Sequence, residues 1–456
     1  MSTITTDEIT TLADTKADTN ESVEIEGAKA QRMTNPMKVV IFSSFVLRFA
    51  GAMTTIFLSS LLKQELNAGT GLIGTLYALF YLTELTMSPV FGAISDLRGR
   101  RMILILGPLV GAAAVLIYPL SAVAGVSLLG IAILGLARLA EGISTAAKVP
   151  SALGYLADAT SGAGKVRAAL RGRVMGLYEV TFLVGLVFGQ VLGGRLWESV
   201  HVWGFFLVSL VYLVAVALLY FFVPETLPAE ARAHNMEGQI AAGEKDHPIR
   251  ALLSSRLRAY AQLLREPTLR SFVPAWLAIN AVVGLFGNLA QPILIKSKDG
   301  VDNFPNQMLD GKFTTSDAGM MFGLFGIVFM VGIFVWSMLY ARVRKSTVML
   351  IGSIGLFLTC LALYAINDQL LPAAVPWLWI PSLVLGLFMV SGFTPVALAY
   401  LAEISGARVE HRGAVMGLYS VFLGLGQLLG SGGGGIFVEG LPQGFNGLIL
   451  AVLLLG

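Results

Sequence analysis

Arg171-Gly-Arg-Val-Met-Gly-Leu-Tyr178 returns 241 residues later as Arg412-Gly-Ala-Val-Met-Gly-Leu-Tyr419, and this repetition decides the architecture. The same offset carries Gly185, Gly189, Gly193 and Gly194 onto Gly426, Gly430, Gly434 and Gly435, and Glu198 onto Glu439. Upstream, Pro150-Ser-Ala-Leu-Gly-Tyr-Leu-Ala-Asp158 aligns with Pro395-Val-Ala-Leu-Ala-Tyr-Leu-Ala-Glu403 at an offset of 245. Matches this numerous and this well in register mean that the chain consists of two related halves.

The stretches around these repeats are apolar. Hydrophobic residues make up 55% of the chain and charged residues only 13%, about half the charge density a soluble domain needs to cover its surface. Apolar runs of about 20 residues, each long enough to cross ~30 Å of hydrocarbon, recur almost throughout. They predict spans over 39–62, 72–94, 102–126, 128–157, 174–196, 202–223, 272–295, 318–339, 347–366, 375–402 and 414–436. A final run from Phe445 to Gly456 is too short to cross and reads as an incomplete twelfth helix. The expected fold is an all-α polytopic membrane protein. Its parts are a disordered cytoplasmic tail (1–36), a six-helix bundle (37–223), a cytoplasmic linker (224–270) and a second bundle (271–456).

Loop charge orients these spans. With the N-terminus inside, cytoplasmic connections hold nineteen cations, among them Arg98, Arg100, Arg101, Arg171, Arg173, Arg258, Arg344 and Arg412. External connections hold Lys63, Arg195, Lys296, Lys298 and Lys312, a bias of about fourfold of the kind that sets topology. Both repeats therefore start on the same side, and a parallel repeat implies two bundles around an axis along the membrane normal with a solute path between them. In the linker, Ile249, Leu252, Leu253, Leu257, Tyr260, Leu263 and Leu264 recur at helical spacing opposite Arg250, Arg258 and Arg265. That pattern fits an amphipathic helix on the inner leaflet and equally a solvated linker helix. The plasma membrane is the default location.

Several motifs carry chemistry. After the second span the chain reads Gly92-Ala-Ile-Ser-Asp96-Leu-Arg98-Gly99-Arg100-Arg101: a packing glycine, a turn glycine and a set of opposite charges. The fourth span holds Arg138-Leu-Ala-Glu141-Gly142, with the two charges three residues apart on one helical face. Spacings of four along Gly185, Gly189 and Gly193, with Gly176 and Gly194 nearby, let another helix approach the fifth span, and Gly426 and Gly430 repeat this in the eleventh.

These motifs resemble the major facilitator superfamily, and the fifth-span glycines resemble its drug/proton antiporter and tetracycline-efflux branch, departing where Gln190 replaces a proline. The resemblance implies that Asp96 and an arginine of the loop engage Asp158 at the end of the fourth helix, forming a cytoplasmic gate latch. In the second half the corresponding Ala341-Arg-Val-Arg-Lys345 lacks the aspartate and glycines, so any latch there is weaker. The resemblance also implies that spans one, four, seven and ten line the cavity, favouring Arg48, Arg138, Glu141, Asn280 and Asn288.

Ionised groups at mid-membrane are costly unless paired or wet, and therefore mark function. Arg48, Glu84, Arg138, Glu141, Lys148 and Glu179 all fall in the first half, the last two near the cytoplasmic ends where snorkelling explains them. Glu84 and Glu141 are candidates for proton coupling, with Arg48 and Arg138 as buried charge partners. Glu84 ranks first because it has no sequence-local cation. Asn280, Asn288, Gln291, Ser391 and Thr394 are candidates for solute contacts, though polar side chains also join helices.

The expectation is a secondary transporter working by alternating access, with proton-coupled efflux of a small solute. A proton-driven importer or uniporter is the near alternative, and a solute-sensing transceptor the alternative of another class. The partners expected are the solute, protons and lipid; the energy source is the proton gradient. The single cysteine, Cys360, excludes disulfides and cysteine metal sites. Without a nucleophile–His–acid set, a metal-ligand cluster or a phosphate-binding loop, no enzyme, cofactor or metal is expected. Nucleic acid and an obligatory protein partner are not expected either.

Overall fold

A computed structural model describes residues 33–161, 165–227, 267–300, 303–339, 343–368, 378–393, 395–397, 412–441 and 443–456. The tail before residue 33, the amphipathic stretch 249–264, Thr394 and Glu403 lie outside them.

The helices follow the apolar runs, because backbone polar groups in hydrocarbon must be satisfied within the segment. The first half contains α1 (Asn35–Ser60), α2 (Thr70–Arg98), α3 (Arg100–Val115), α4 (Leu128–Ala159), α5 (Lys165–Val200) and α6 (Gly204–Phe222). The second contains α7 (Pro267–Leu294), α8 (Thr315–Leu339), α9 (Lys345–Asn367), α10 (Ile380–Ser391), α11 (Arg412–Gly440) and α12 (Gly444–Leu455). Among the described residues, nine stretches are long and apolar enough to cross a membrane, and one of them, Leu170–Phe222, carries α5 and α6 in tandem. β-Pairing is limited, among the described residues, to two isolated bridges. The protein is an integral, multi-pass membrane protein.

Boundaries depart from the hydropathy reading where polar residues continue a helix. α5 begins at Lys165, nine residues before its apolar part, and α7 begins at Pro267. The third span is broken instead: α3 stops at Val115 and a short helix, Tyr118–Ala124, resumes with Pro119 in its first turn, where a missing N–H is harmless.

Lipid contact follows the same period. Along α9, Leu350, Ile354, Phe357, Leu361 and Tyr364 are exposed at three- and four-residue spacing, and α6 exposes Phe206, Leu210, Leu213 and Phe221. Such faces carry no folding drive in lipid; close packing between helices has to supply it. Glycines make that packing. A Cβ on Gly189 would stand 2.5 Å from the Phe49 carbonyl oxygen of α1, and one on Gly193 2.7 Å from Ile56. The repeat does the same in the second half, where Gly426 meets Asn280 and Gly430 meets the Ala281 backbone of α7. Gly176 was expected in this stripe, but among the described residues nothing lies within 4 Å of where its Cβ would stand. Nine residues separate it from Gly185, half a turn out of phase at 3.6 residues per turn.

Between the halves, α2 packs against α11 and α5 against α8. A single apolar core joins both halves at the end remote from the arginine-rich loops, mixing Phe57, Leu61 and Trp197 with Leu285, Leu289 and Ile293. At the arginine-rich end, Met37, Leu104, Tyr155, Val174 and Leu219 form a cluster whose described members all belong to the first half.

Candidate functional site

At the arginine-rich end the loop motif is folded into a charged cluster. Gly99 separates α2 from α3 with φ +111°, a conformation open to glycine and strained for any L side chain. The turn brings Arg100, at the start of α3, back over the end of α2, where its guanidinium pairs with Asp96 and reaches Asp158 of α4 at 3.1 Å. Glu225, just past α6, accepts hydrogen bonds from the backbone N–H groups of Arg100 (2.9 Å) and Arg101 (3.1 Å), so a carboxylate caps the first turn of α3. Arg101 donates to the Tyr220 carbonyl at 2.7 Å. Gly92 is buried in α2, and Arg98 points outward from its last turn. Asp96, Arg100 and Asp158 are thus brought together within the first half. Glu225 adds a tie that was not expected from the sequence.

Deeper in the first half, Arg138 and Glu141 are joined at 2.6 Å and both are buried. The Tyr118 hydroxyl donates to the same Glu141 oxygen, Oε2. The Arg138 guanidinium also lies 4.6 Å from the centroids of both Tyr77 and Phe80, and its Nε donates to the Leu76 carbonyl at 3.3 Å. Both members of this pair are therefore engaged by protein groups. Tyr118 is 23 residues from Glu141 on a neighbouring helix, and no local pattern announces it.

Glu84 differs. It is half-buried near the middle of α2, and among the described residues its carboxylate takes part in no hydrogen bond and no ion pair within 4 Å. Its charged neighbours are Arg48, Lys148 and Arg138. Arg48, named as its partner from sequence, instead lays its guanidinium 4.0 Å from the Phe182 ring of α5. Lys148 sits with its ammonium 5.2 Å from the Tyr212 ring.

The described polar candidates of the second half each make hydrogen bonds within the protein. Asn280 donates to the Trp276 carbonyl one turn earlier, and Ser391 to the Phe388 carbonyl. Asn288 Nδ2 donates to Ser431 of α11 at 2.8 Å and to the Tyr81 hydroxyl of α2 at 3.3 Å. Gln291 accepts from Ser59 at 3.3 Å and donates to Gln190 at 2.7 Å. Gln190, the residue standing in for a proline, therefore helps hold the halves together.

These bonds continue into a seal at the end remote from the arginine-rich loops. Ser60 bonds Thr315 at 2.9 Å, and Asn67 bonds both Asp299 and Ser297 at 2.7 Å. Glu439, at the end of α11, accepts from the Gly71 N–H at 2.7 Å in the first turn of α2. Its repeat mate Glu198, at the end of α5, accepts from the Ser316 N–H at 3.3 Å in the first turn of α8. Each half thus places a carboxylate on the positive end of a helix in the other. The alignment of Glu198 with Glu439 was the one sequence signal for this pair.

The sequence signature of the Major Facilitator Superfamily matches residues 40–302 and again 303–456. Multidrug resistance protein 2 of Bacillus subtilis (strain 168) is 25% identical over 194 residues, 42% of this chain and 45% of that protein. Tetracycline resistance protein, class C, of Escherichia coli is 39% identical over 123 residues, 27% of this chain and 28% of that protein. The chain therefore spans less than half the length of these relatives. The crystal structure of the nucleoside transporter NupG superposes with a TM-score of 0.68 at 14% identity, covering 92% of this chain and 96% of that one, a likeness of fold. With a family signature running through both repeats, and the repeats built into two facing bundles, this chain belongs to the Major Facilitator Superfamily.

Proposed function

We propose that this protein is a secondary transporter that exports a small solute by alternating access, in exchange for protons bound at Glu84. The observation that carries the reading is the contrast between two carboxylates. Glu141 is held by Arg138 and Tyr118, whereas Glu84 has no such partner among the described residues. A coupling carboxyl has to exchange its proton as access changes, and a group already engaged by an arginine and a tyrosine is poorly placed to do so. At Glu84 a proton and a cationic group of a solute satisfy the same charge, so occupancy by one excludes the other. That exclusion is the thermodynamic basis of antiport.

The seal supports the alternating part of the reading. Its bonds close one end, and the positive-inside rule makes that end the external one and the N-terminus cytoplasmic. The Asp96–Arg100–Asp158 cluster sits at the other end, where a latch for the complementary state is needed. Relatives named for drug and tetracycline resistance fit export across the plasma membrane.

The test is flux. Purified protein in liposomes under an imposed pH gradient is offered a mixed panel of cationic drugs, sugars and organic anions, read by mass spectrometry. The expected result is a cationic solute moving against its own gradient, with proton movement in the opposite sense and arrest when the pH gradient collapses. Flux in the same direction as protons would establish an importer, and flux indifferent to the gradient a uniporter. Ligand binding without flux would establish a sensor.

A further inference from the structure

Arg48 and Lys148 line one small cleft among α1, α3, α4, α5 and α6, and they raise a question separate from proton coupling. Two cations share one intramembrane recess, yet among the described residues no carboxylate lies within 4 Å of either. Arg48 lies against the Phe182 face and donates to the Tyr178 hydroxyl, which also lines the cleft, and Lys148 lies against the Tyr212 face. The carboxylates in the neighbourhood are Glu84 and Glu179 around Arg48, and Glu84 and Glu141 around Lys148. Glu141 is committed to Arg138. None of these carboxylates lines the cleft.

The remaining lining adds a donor. Ser43 is 1% exposed, lines the same cleft, and its Oγ has no hydrogen-bond partner among the described residues. Its neighbour Ser44 is already used, donating to the Val40 carbonyl at 2.8 Å. A buried hydroxyl without an acceptor is costly, and donors left open beside two cations call for an anion. The apolar walls, Val40, Leu47, Leu104, Val149 and Leu219, keep the recess narrow. The cleft leaves about 20 Å³ of free space, the room of one water or, with a slight shift of the long cationic side chains, one halide ion.

We infer that this cleft is a binding site for a small monovalent anion of chloride's size, held by Arg48, Lys148 and the Ser43 hydroxyl. The anion balances the two cations when Glu84 is occupied by a proton or a solute cation. Sulfate, gluconate and organic acids are excluded by size.

The test uses the full chain in detergent and measures its thermal unfolding midpoint while chloride or bromide replaces gluconate at constant ionic strength. A ligand that binds only the folded state raises the midpoint with its concentration. The expected result is a saturable rise with chloride and bromide and none with sulfate. Arg48→Gln and Lys148→Gln should each weaken the apparent halide affinity at least ~10-fold, and Ser43→Ala about 5-fold, the loss of one hydrogen bond. If Arg48→Gln does not fold, Lys148→Gln and Ser43→Ala decide the matter. Equal midpoints in all salts for the unsubstituted protein would overturn the assignment. So would a halide effect undiminished in any folded variant of the three.

Discussion

Glu439→Gln isolates the charge in one of the two ties across the sealed end. The amide keeps an oxygen to accept from the Gly71 N–H, now 2.7 Å from the carboxylate, but loses the negative charge at the start of α2. A carboxylate at a helix N-terminus contributes roughly 0.3–1 kcal/mol at an exposed site, and a charge-assisted hydrogen bond is about twice as strong as a neutral one. Glu439 is exposed and Gly71 buried, which places the loss near ~1 kcal/mol, a shift of about 5-fold from the closed toward the open seal. Glu198→Gln breaks a longer, exposed contact of 3.3 Å and should shift the balance less than about 2-fold. Distances between spin labels at Leu128 and Asn306, both exposed near that end, would read the two populations in a Cys360→Ser background. High salt should shrink the difference between the variant and the parent, because surface charge terms are screened. An unchanged distance distribution in Glu439→Gln would refute the reasoning. A change that persists undiminished in 1 M salt would show that shape and not charge holds the seal.

Four further outcomes follow from the same geometry. Glu84→Gln should abolish pH-gradient-driven transport while leaving solute exchange between preloaded liposomes intact; normal accumulation would remove Glu84 from the coupling step. Glu141→Gln should instead destabilise the fold by about 3–5 kcal/mol, because it strands Arg138 in the membrane interior, and a thermal midpoint within error of the parent would contradict that role. Asp158→Asn removes the 3.1 Å partner of Arg100 and should speed labelling of cysteines at the arginine-rich mouth, by no more than about 5-fold since the pair is partly exposed; unchanged labelling would leave the cluster a structural anchor. Gly189→Val and Gly430→Val should each cost at least about 1–3 kcal/mol by forcing α5 off α1 and α11 off α7, whereas Gly176→Ala, with nothing within 4 Å among the described residues, should be neutral or stabilising; folded yield in detergent separates them.

Glycine placement shows how far a linear reading reaches. The four-residue spacing of Gly185, Gly189 and Gly193 is a property of the chain, and the helix period converts it directly into a packing face. Gly176 looked like part of that face only because the interval of nine was not turned into an angle. Asn288 and Gln291 show the opposite limit. Each is polar and sits on the helix expected to line a cavity, yet whether such a residue meets solute or another helix depends on what stands opposite. Ser431 and Gln190, each more than 100 residues away in the chain, stand there.

Glu84 and Glu141 divide along the same line. Both are single glutamates in apolar spans, and the only local distinction is the cation three residues before Glu141. Its second partner, Tyr118, comes from the break between α3 and the short helix that follows, a juxtaposition that no spacing encodes.

Hydropathy and the 241-residue repeat establish that the chain is a multi-pass helical protein of two related halves. These are local or periodic properties, and the bilayer enforces them because it tolerates no unsatisfied backbone. Which charge is paired, which polar group is spent on packing and which end is sealed depend on neighbours brought together across helices. A sequence carries no distance between such residues until the bundles close around one another.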